Sequence, residues 1–350
     1  MTTVATDFET VIGLEVHCQL ITKSKMFCGC STDYSGAEPN THVCPVCLGL
    51  PGTLPVINEK AIEFITMTGL ALNSTISSFS KFDRKNYPYP DLMKGYQISE
   101  YDQPLCRNGY VDIDVGTPKR IRVQRVHLEE DTARLLHRKD ETGEYSLLDI
   151  NRAGMPLMEI VTEPDARSPE EAVAYLMKLR QTLRYLGVSH ANMEEGSFRC
   201  EPNISLRPVG SEKYGAKVEL KNLNSFRAAL RAMQFEVERQ SRILDDGGRV
   251  ASETRGWREE TGETASQRSK EEAHDYRYFP EPDLPPLAIV PARVEELRSA
   301  LPELPDARRA RFEAAYGLSD YEANLLTESR AKADYFETAV RSGASVAGEA

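Results

Sequence analysis

A carboxylate and an imidazole lie two residues apart near the start of the sequence, at Glu15 and His17. The alternation of residues 9–20 is typical of a β-strand with one apolar face. On such a strand both side chains share a face, about 7 Å apart. This spacing suits a shared metal ion or reacting group, although a solvated strand face has the same pattern. The apolar face comprises Ile12, Leu14, Val16, Cys18 and Leu20.

A second acidic group consists of Glu129, Glu130 and Asp131, at the end of an alternating segment over residues 119–130. Three consecutive carboxylates repel one another unless cations hold them. Hard cations such as Mg²⁺ take oxygen ligands and commonly bring phosphates with them. The group is therefore interpreted as a divalent-metal or catalytic carboxylate cluster, with a solvated acidic turn as the alternative.

Four cysteines follow the first strand in two close pairs, Cys28 with Cys30 and Cys44 with Cys47. Four thiolates on two turns supply the tetrahedral ligand set of a closed, structural zinc site. Free buried cysteines and an iron–sulfur cluster are the alternatives. The total of seven cysteines is odd, and the N-terminus has no secretory signal, so a metal site is favoured over disulfides.

Residues 80–99 mix basic residues, aromatics and prolines without a helical or strand period. A long irregular stretch inside a compact chain is commonly functional. Its basic side chains suit phosphates and its tyrosines suit stacking on a base, although an ordinary surface loop is the alternative. The sequence contains neither GxxxxGK[ST] nor a GxGxxG between a strand and a helix.

The composition is that of a globular protein large enough for two domains, with 350 residues, 40% hydrophobic and 28% charged. The net charge of −11 disfavours non-specific nucleic-acid binding. No apolar run approaches the length of a membrane span. We therefore expect a cytoplasmic protein without a membrane partner.

Helix signals recur between the strands. Asn58 and Ser225 are predicted N-caps, and Ser168 with Pro169 and Glu171 forms a predicted capping box. Beyond about residue 291 the composition changes to short, Ala-, Arg- and Glu-rich helices. These patterns predict an α+β fold with a domain boundary after residue 292.

Six stretches, in order along the chain, resemble the B subunit of the tRNA-dependent aspartyl/glutamyl amidotransferases, the GatB family. They are VIGLEVHCQL (11–20), SKFDRKNYPYPDLMKGYQIS (80–99), HLEED (127–131), MEEGSFRCEPNISLRP (193–208), ELKNLNS (219–225) and DYRYFPEPDLPPL (275–287). The resemblance implies an ATP- and Mg²⁺-dependent ligase. Such an enzyme phosphorylates the side-chain carboxylate of Glu on tRNA(Gln), or Asp on tRNA(Asn), and forms the amide with ammonia from glutamine.

The resemblance also implies an architecture and partners. A large cradle domain around an antiparallel sheet with flanking helices, residues 1–292, precedes the start of a small all-α domain, residues 293–350. Members of the family continue through a tail, so this chain is expected to lack it. The expected partners are mischarged tRNA, an amidase-type A subunit and a small C subunit, in a heterotrimer.

Glu15, His17, Glu129, Glu130 and Glu219 are predicted to face one pocket as catalytic residues. All but Glu129 are also predicted magnesium ligands, and His17 is an alternative contact of the phosphoryl oxygen. Where the family carries Asp, this chain has Glu201, which is still able to ligate. The candidates for the ATP phosphates are Lys81, Lys85 and Arg152.

Two other functions fit parts of the pattern. The first is a non-catalytic, zinc-containing RNA-binding or assembly module, against which the acidic charge argues. The second is a carboxylate-pair hydrolase that needs no ATP.

Overall fold

The computed structural model describes residues 8–141, 143–269 and 276–343. Its strands are β1 (Phe8–Gln19), β2 (Thr75–Ile76), β3 (Phe79–Ser80), β4 (Asp83–Asn86), β5 (Tyr96–Ser99), β6 (Cys106–Asp114), β7 (Pro118–Glu130), β8 (Arg134–Asp140), β9 (Gly143–Asp149), β10 (Pro156–Thr162), β11 (Phe198–Pro208), β12 (Val218–Lys221), β13 (Glu253–Arg258), β14 (Glu263–Ser269), β15 (Phe279–Pro280) and β16 (Leu287–Ala288). Its α-helices are α1 (Glu59–Ala71), α2 (Pro169–Leu186), α3 (Phe226–Asp245), α4 (Pro291–Ser299), α5 (Pro305–Tyr316), α6 (Asp320–Leu326) and α7 (Arg330–Arg341).

A twelve-stranded sheet forms the centre of the molecule, in the order β14-β13-β12-β11-β1-β10-β7-β5-β4-β15. Strand β6 pairs with β7 and with β2, beside that path. The pairs are antiparallel except for β12 with β13, which are parallel. Two further pairs lie outside this sheet, β3 with β16 and the hairpin of β8 and β9. The predicted α+β fold around an antiparallel sheet is confirmed.

Strand β1 lies between β10 and β11, so both of its edges are paired within the sheet. The five residues predicted to form its apolar face are at most 1% exposed and belong to the main core. Glu15 and His17 consequently lie on the opposite face, as the alternation predicted. Across the ladders, Glu15 is opposite Glu201, and His17 is opposite Glu159.

Helices α1, α2 and α3 pack on the apolar side of the sheet. The Asn58 side chain accepts hydrogen bonds from the N–H groups of α1, and the Ser225 hydroxyl does the same for α3. The Ser168 hydroxyl accepts from the Glu171 N–H at the start of α2. The predicted capping box is incomplete, because the Glu171 carboxylate accepts from the Arg167 N–H instead.

The prediction that residues 80–99 have no regular structure is wrong. Strands β4 and β5 occupy eight of its twenty residues and extend the sheet beyond β7. Each has only four residues, and a turn with two prolines separates them. Two strands this short give too little alternation to detect. Residues 275–287, another of the six stretches that carry the family resemblance, supply β15. Asp275 itself lies outside the described residues.

The last three helices surround a small second core of Phe312, Ala323 and Ala333. This core joins the rest of the molecule through α2, where the Tyr185 hydroxyl donates to the Thr327 carbonyl. Of the predicted helical domain, residues 344–350 lie outside the described part. Among the described helices, none combines the length and the apolar character needed to cross a membrane.

Candidate active site

A polar cleft of about 400 Å³ lies on the sheet face that points away from the apolar core. Its floor consists of alternate residues of β1, β7, β10, β11 and β12, because these neighbouring strands present every second side chain to the same face. Residues 85–87 and 276–278 border the cleft on one side. The cleft therefore collects residues that are up to 263 positions apart in the sequence.

One group in the cleft consists of His17, Glu129 and Glu159, which we name the histidine cluster. One ligand atom from each lies within 4.8 Å of the other two. His17 Nε2 is 3.3 Å from Glu159 Oε2. Buried beside them, His127 places its Nε2 atom 3.3 Å from Glu129 and 3.5 Å from Glu159. The register explains the arrangement, since Glu159 lies opposite both His17 and His127 in the ladders.

The second group consists of Glu15, Glu201 and Glu219, which we name the carboxylate cluster. Three of their oxygens, one from each residue, also lie within 4.8 Å of one another. The Asn203 Nδ2 atom donates to Glu15 over 2.9 Å, and the Lys221 ammonium donates to Glu201 over 2.7 Å. Three carboxylate oxygens at this spacing match the oxygen ligands that Mg²⁺ takes.

The two clusters differ in the direction of their pKa shifts. Burial raises the pKa of Glu15, and the nearby carboxylate of Glu159 raises it further. Burial alone would also raise the pKa values of Glu129 and Glu159. For Glu129, Lys85 and His127 together outweigh burial, and for Glu159, His127, His17 and Lys85 together do so. Both pKa values are therefore lowered, and these two carboxylates are ionised at neutral pH. Repulsion persists in the carboxylate cluster, where a divalent cation would offset it.

Cationic and aromatic side chains border the clusters. The Lys85 ammonium is 3.9 Å from Glu129 Oε1 and lies 5.2 Å from the centre of the Tyr276 ring. Arg199 pairs with Asp131 at 3.1 Å. The rings of Tyr101 and Tyr278 stack with their centres 4.3 Å apart. Such cations and rings suit phosphates and bases, respectively.

The structure brings Glu15, His17, Glu129, Glu219 and Lys85 to the cleft, as predicted. Glu130 does not face it, so the prediction of one pocket for all five catalytic candidates is wrong. Consecutive residues of a strand point to opposite faces, and Glu130 instead accepts hydrogen bonds from Lys94 and from the Ile98 N–H.

Two of the predicted phosphate contacts also lie outside the cleft lining. Lys81 pairs with Asp83 and with Asp102, which occupy its ammonium. Arg152 donates to the carbonyls of Thr132 and Ala133, each over 2.9 Å. Its role there is to fix the chain that leaves β7.

Sequence reasoning missed Glu159 as a site residue and did not include Glu201 among the site candidates. Glu159 is the single charged residue in the otherwise apolar strand β10, and a buried lone carboxylate of this kind is a usable signal. Glu201 alternates with Arg199 and Asn203 on the polar face of β11. The resemblance already gave Glu201 as able to ligate, and the register with Glu15 shows which ligand set it joins.

The four cysteines lie together in a separate loop. Their sulfur atoms are within 4.8 Å of one another, with 4.0 Å between Cys30 and Cys47 and 3.9 Å between Cys44 and Cys47. Tetrahedral zinc with Zn–S bonds of about 2.3 Å requires sulfurs about 3.8 Å apart. A hydrogen bond with Cys28 lowers the pKa of the Cys47 thiol to about 4. The residues present therefore fit a closed zinc site.

The fold and the cleft together define a class. This is an α+β protein whose sheet face carries two groups of side chains with the spacing of metal ligands, beside side chains suited to phosphate. The family model described as "GatB/GatE catalytic domain" matches residues 10–295. The chain belongs to this family.

Curated relatives agree with this assignment. The chain is 64% identical over 334 residues to the B subunit of the aspartyl/glutamyl-tRNA(Asn/Gln) amidotransferase of Dehalococcoides mccartyi strain CBDB1. That match covers 95% of this chain and 68% of the relative. The protein of the same name from Thermomicrobium roseum is 60% identical over 345 residues, which cover 98% of this chain and 71% of the relative.

Proposed function

We propose that this chain activates the side-chain carboxylate of Glu or Asp esterified to tRNA, as the B subunit of a tRNA-dependent amidotransferase. With ATP and Mg²⁺ bound, the carboxylate accepts the γ-phosphoryl group of ATP and ADP leaves. Ammonia then displaces phosphate from the acyl phosphate to give Gln-tRNA(Gln) or Asn-tRNA(Asn). The family assignment and the names of the relatives support this function. The chemistry requires charge neutralisation and positioning more than a protein nucleophile.

The observation that carries the proposal is the presence of two ligand sets in one cleft. In the carboxylate cluster, Glu15, Glu201 and Glu219 would hold Mg²⁺. In the histidine cluster, a second divalent ion would find two ionised carboxylates and one imidazole. Bound cations neutralise phosphate oxygens and bring the reacting groups into line.

The remaining groups of the cleft bind and orient anionic substrates. Lys85 and Arg125 lie beside the histidine cluster, where their charges are available to phosphate oxygens or to the substrate carboxylate. Arg199 is held by Asp131 at the other side of the cleft. Because these cations already contact carboxylates, their positions are fixed before substrate arrives.

The proposed enzyme acts with partners. Ammonia must come from an amidase-type A subunit, and a small C subunit completes the heterotrimer. Since the substrates are aminoacylated tRNAs, we place the reaction in the cytoplasm.

The decisive experiment measures ATP hydrolysis by the chain assembled with its A and C subunits, with and without Glu-tRNA(Gln), in Mg²⁺. We expect stimulation by Glu-tRNA(Gln) and its loss in Glu15→Gln. Glu144→Gln, on the exposed hairpin of β8 and β9, is the matched control. Unchanged RNA binding without any ATP turnover would support a binding module instead. An ATP-independent activity that requires Glu15 would support a hydrolase.

We also propose that the four-cysteine loop holds structural zinc. Metal analysis of the purified chain should find one zinc per molecule, and Cys28→Ser should lower this content. Because the four sulfurs close the site, zinc loss should loosen the loop without removing the cleft ligands. Zinc content that is unaffected by the substitution would contradict the assignment.

A further inference from the structure

Strand β13 contacts the carboxylate cluster from outside the cleft. It pairs with β12, and the parallel ladder places Thr254 opposite Glu219. The Thr254 hydroxyl donates to Glu219 Oε2 over 2.8 Å. None of the described residues that line the cleft belongs to β13. Thr254 therefore reaches the site through Glu219.

We propose that Thr254 is a positioning residue, which holds Glu219 in the orientation that completes the carboxylate cluster for a divalent cation. This role rests on the proposed function, because it requires that the cluster binds the cation. Groups that hydrogen-bond to metal ligands orient them, and their removal commonly lowers metal affinity about 10–100-fold. A residue that never touches the cation would thus help to set how tightly the cation is held.

Glu219 needs such a contact because the neighbouring carboxylates repel it. After burial and Glu159, the carboxylates of Glu201 and Glu219 also raise the pKa of Glu15, which shows that the three groups feel one another. The Glu219 side chain is partly exposed and has several rotatable bonds, so repulsion favours its turning towards solvent. A hydrogen bond from a fixed hydroxyl to the charged group opposes that movement.

The second oxygen of Glu219 also has a neighbour. Lys221, two residues further along β12, places its ammonium 3.5 Å from Glu219 Oε1. The hydroxyl and the ammonium thus hold the carboxylate from its two sides. An ionised carboxylate has about four lone-pair sites, so both contacts leave it able to bind a cation.

Thr254 is itself held in place by its neighbours along the chain. Glu253 and Arg255 point to the opposite face of β13, towards α3. Arg255 donates to Glu253 over 2.7 Å and lies 3.6 Å from the fully buried Glu236 of α3. Arg239 of the same helix lies 3.7 Å from Glu253. Because these ion pairs tie β13 to α3 on both sides of Thr254, the hydroxyl has a fixed position relative to Glu219.

A β-bulge lies beside Thr254. The ladder of β13 and β14 shifts its register there, since Thr254 is opposite Arg268 whereas Arg255 is opposite Ser266. Gln267 is the extra residue of β14. Bulges are frequent next to active sites, where they change the direction of a side chain. The irregularity coincides with the residue that contacts the ligand set, as expected if the direction of Thr254 matters.

The test measures Mn²⁺ binding to the full chain by electron paramagnetic resonance, which needs neither tRNA nor partner subunits. Wild-type protein should bind one Mn²⁺ in each cluster, and Glu219→Gln identifies the ion of the carboxylate cluster by weakening it. Thr254→Val, which replaces the hydroxyl with a methyl group, should weaken the same ion about tenfold. Thr254→Ser keeps a hydroxyl and should stay within about twofold of wild type.

A double variant shows whether Thr254 acts through Glu219. Thr254→Val added to Glu219→Gln should cause no further loss of affinity. Thr75→Val makes the same change on the exposed strand position of β2 and should leave both ions unaffected. Thr254→Ala carries the same expectation as Thr254→Val and tests the role if valine disturbs the strand. A further loss in the double variant, or equal losses in Thr254→Ser and Thr254→Val, would overturn the proposal.

Two outcomes distinguish the positioning role from the proposed function. If wild-type protein binds Mn²⁺ in both clusters, and Thr254→Val and Thr254→Ala bind it equally tightly, the positioning role falls and the proposed function stands. If wild-type protein binds Mn²⁺ in neither cluster, both fall.

Discussion

The histidine cluster and the carboxylate cluster lie side by side on one sheet face but differ in burial and in the charges around them. In the histidine cluster, the Glu129 and Glu159 side chains are 2% and 9% exposed, and Lys85 and His127 keep them ionised. In the carboxylate cluster, the Glu201 and Glu219 side chains are 24% and 17% exposed.

This difference suggests two modes of cation binding. A buried set whose charges are already balanced and oriented holds its geometry whether or not a cation is present. A more open set with unrelieved repulsion gains most when a cation arrives, and Mg²⁺ commonly arrives with phosphate. We therefore expect substitutions in the histidine cluster to affect both stability and metal binding, and those in the carboxylate cluster to affect metal and nucleotide binding alone.

The largest expected effect comes from Glu159→Gln. This change removes a proposed ligand and leaves His17 and His127 facing a neutral amide. Stimulated ATP hydrolysis should fall at least about a hundredfold, and the free energy of unfolding should fall by about 1–3 kcal/mol. Glu201→Gln is the matched variant, with a similar loss of hydrolysis but an unchanged unfolding midpoint. Equal losses of stability in the two variants would contradict the expected difference between the two clusters.

A smaller effect is expected behind the histidine cluster, at Glu100. This fully buried carboxyl accepts hydrogen bonds from the Ser80 hydroxyl and from the Leu128 N–H. Burial raises its pKa from 4.5 to about 7. The folded state therefore holds the proton more tightly than the unfolded state. Its contribution to stability is complete below pH 4.5 and is lost as the pH rises through 7.

Glu100→Gln tests this pH dependence. Relative to wild type, the variant should gain about 3 kcal/mol of unfolding free energy between pH 4.5 and pH 8, because its amide does not ionise. Urea unfolding at both pH values measures the difference, which cancels any pH-independent packing change. Glu144→Gln, on the exposed hairpin, should show no such gain. The absence of a gain in Glu100→Gln would mean that the Glu100 carboxyl adds no pH dependence to the free energy of unfolding.

The two clusters also show what the sequence was able to predict. The alternation around Glu15 and His17 predicted their shared face, because a two-residue period is a local property of the chain. The local spacing of the four cysteines likewise predicted their proximity. Membership of the clusters depends instead on the register of strands more than a hundred residues apart. Sequence reasoning therefore left out Glu159, which pairing with His17 and His127 brings into place.

Glu130 illustrates the converse error. Its place beside Glu129 in an acidic run suggested a shared site, but neighbours on a strand face opposite ways. Glu130 contacts Lys94 in another pocket, beside the cysteine loop. This contact confirms that Glu130 and Glu129 lie on different sides of the sheet. Strand alternation, applied to the second acidic run as it was to the first, would have excluded Glu130.

The smallest expected effect is that of His127, which we interpret as a positioning residue for the histidine cluster. Its ring is buried, and its Nε2 atom lies within 3.5 Å of both Glu129 and Glu159. Removing a group that orients metal ligands typically lowers metal affinity about 10–100-fold. We expect His127→Leu to weaken Mn²⁺ binding, measured by electron paramagnetic resonance, about tenfold, at the lower end of that range.

A conservative variant separates positioning from packing at this site. The Gln side chain can place an N–H donor near the position of Nε2, so His127→Gln should recover most of the Mn²⁺ affinity that His127→Leu loses. His137→Leu, on the separate hairpin, controls for loss of an imidazole elsewhere. If Gln and Leu weaken Mn²⁺ binding equally, the hydrogen bonds of His127 do not orient the cluster. The preparation of the histidine cluster would then rest on burial and on Lys85 alone.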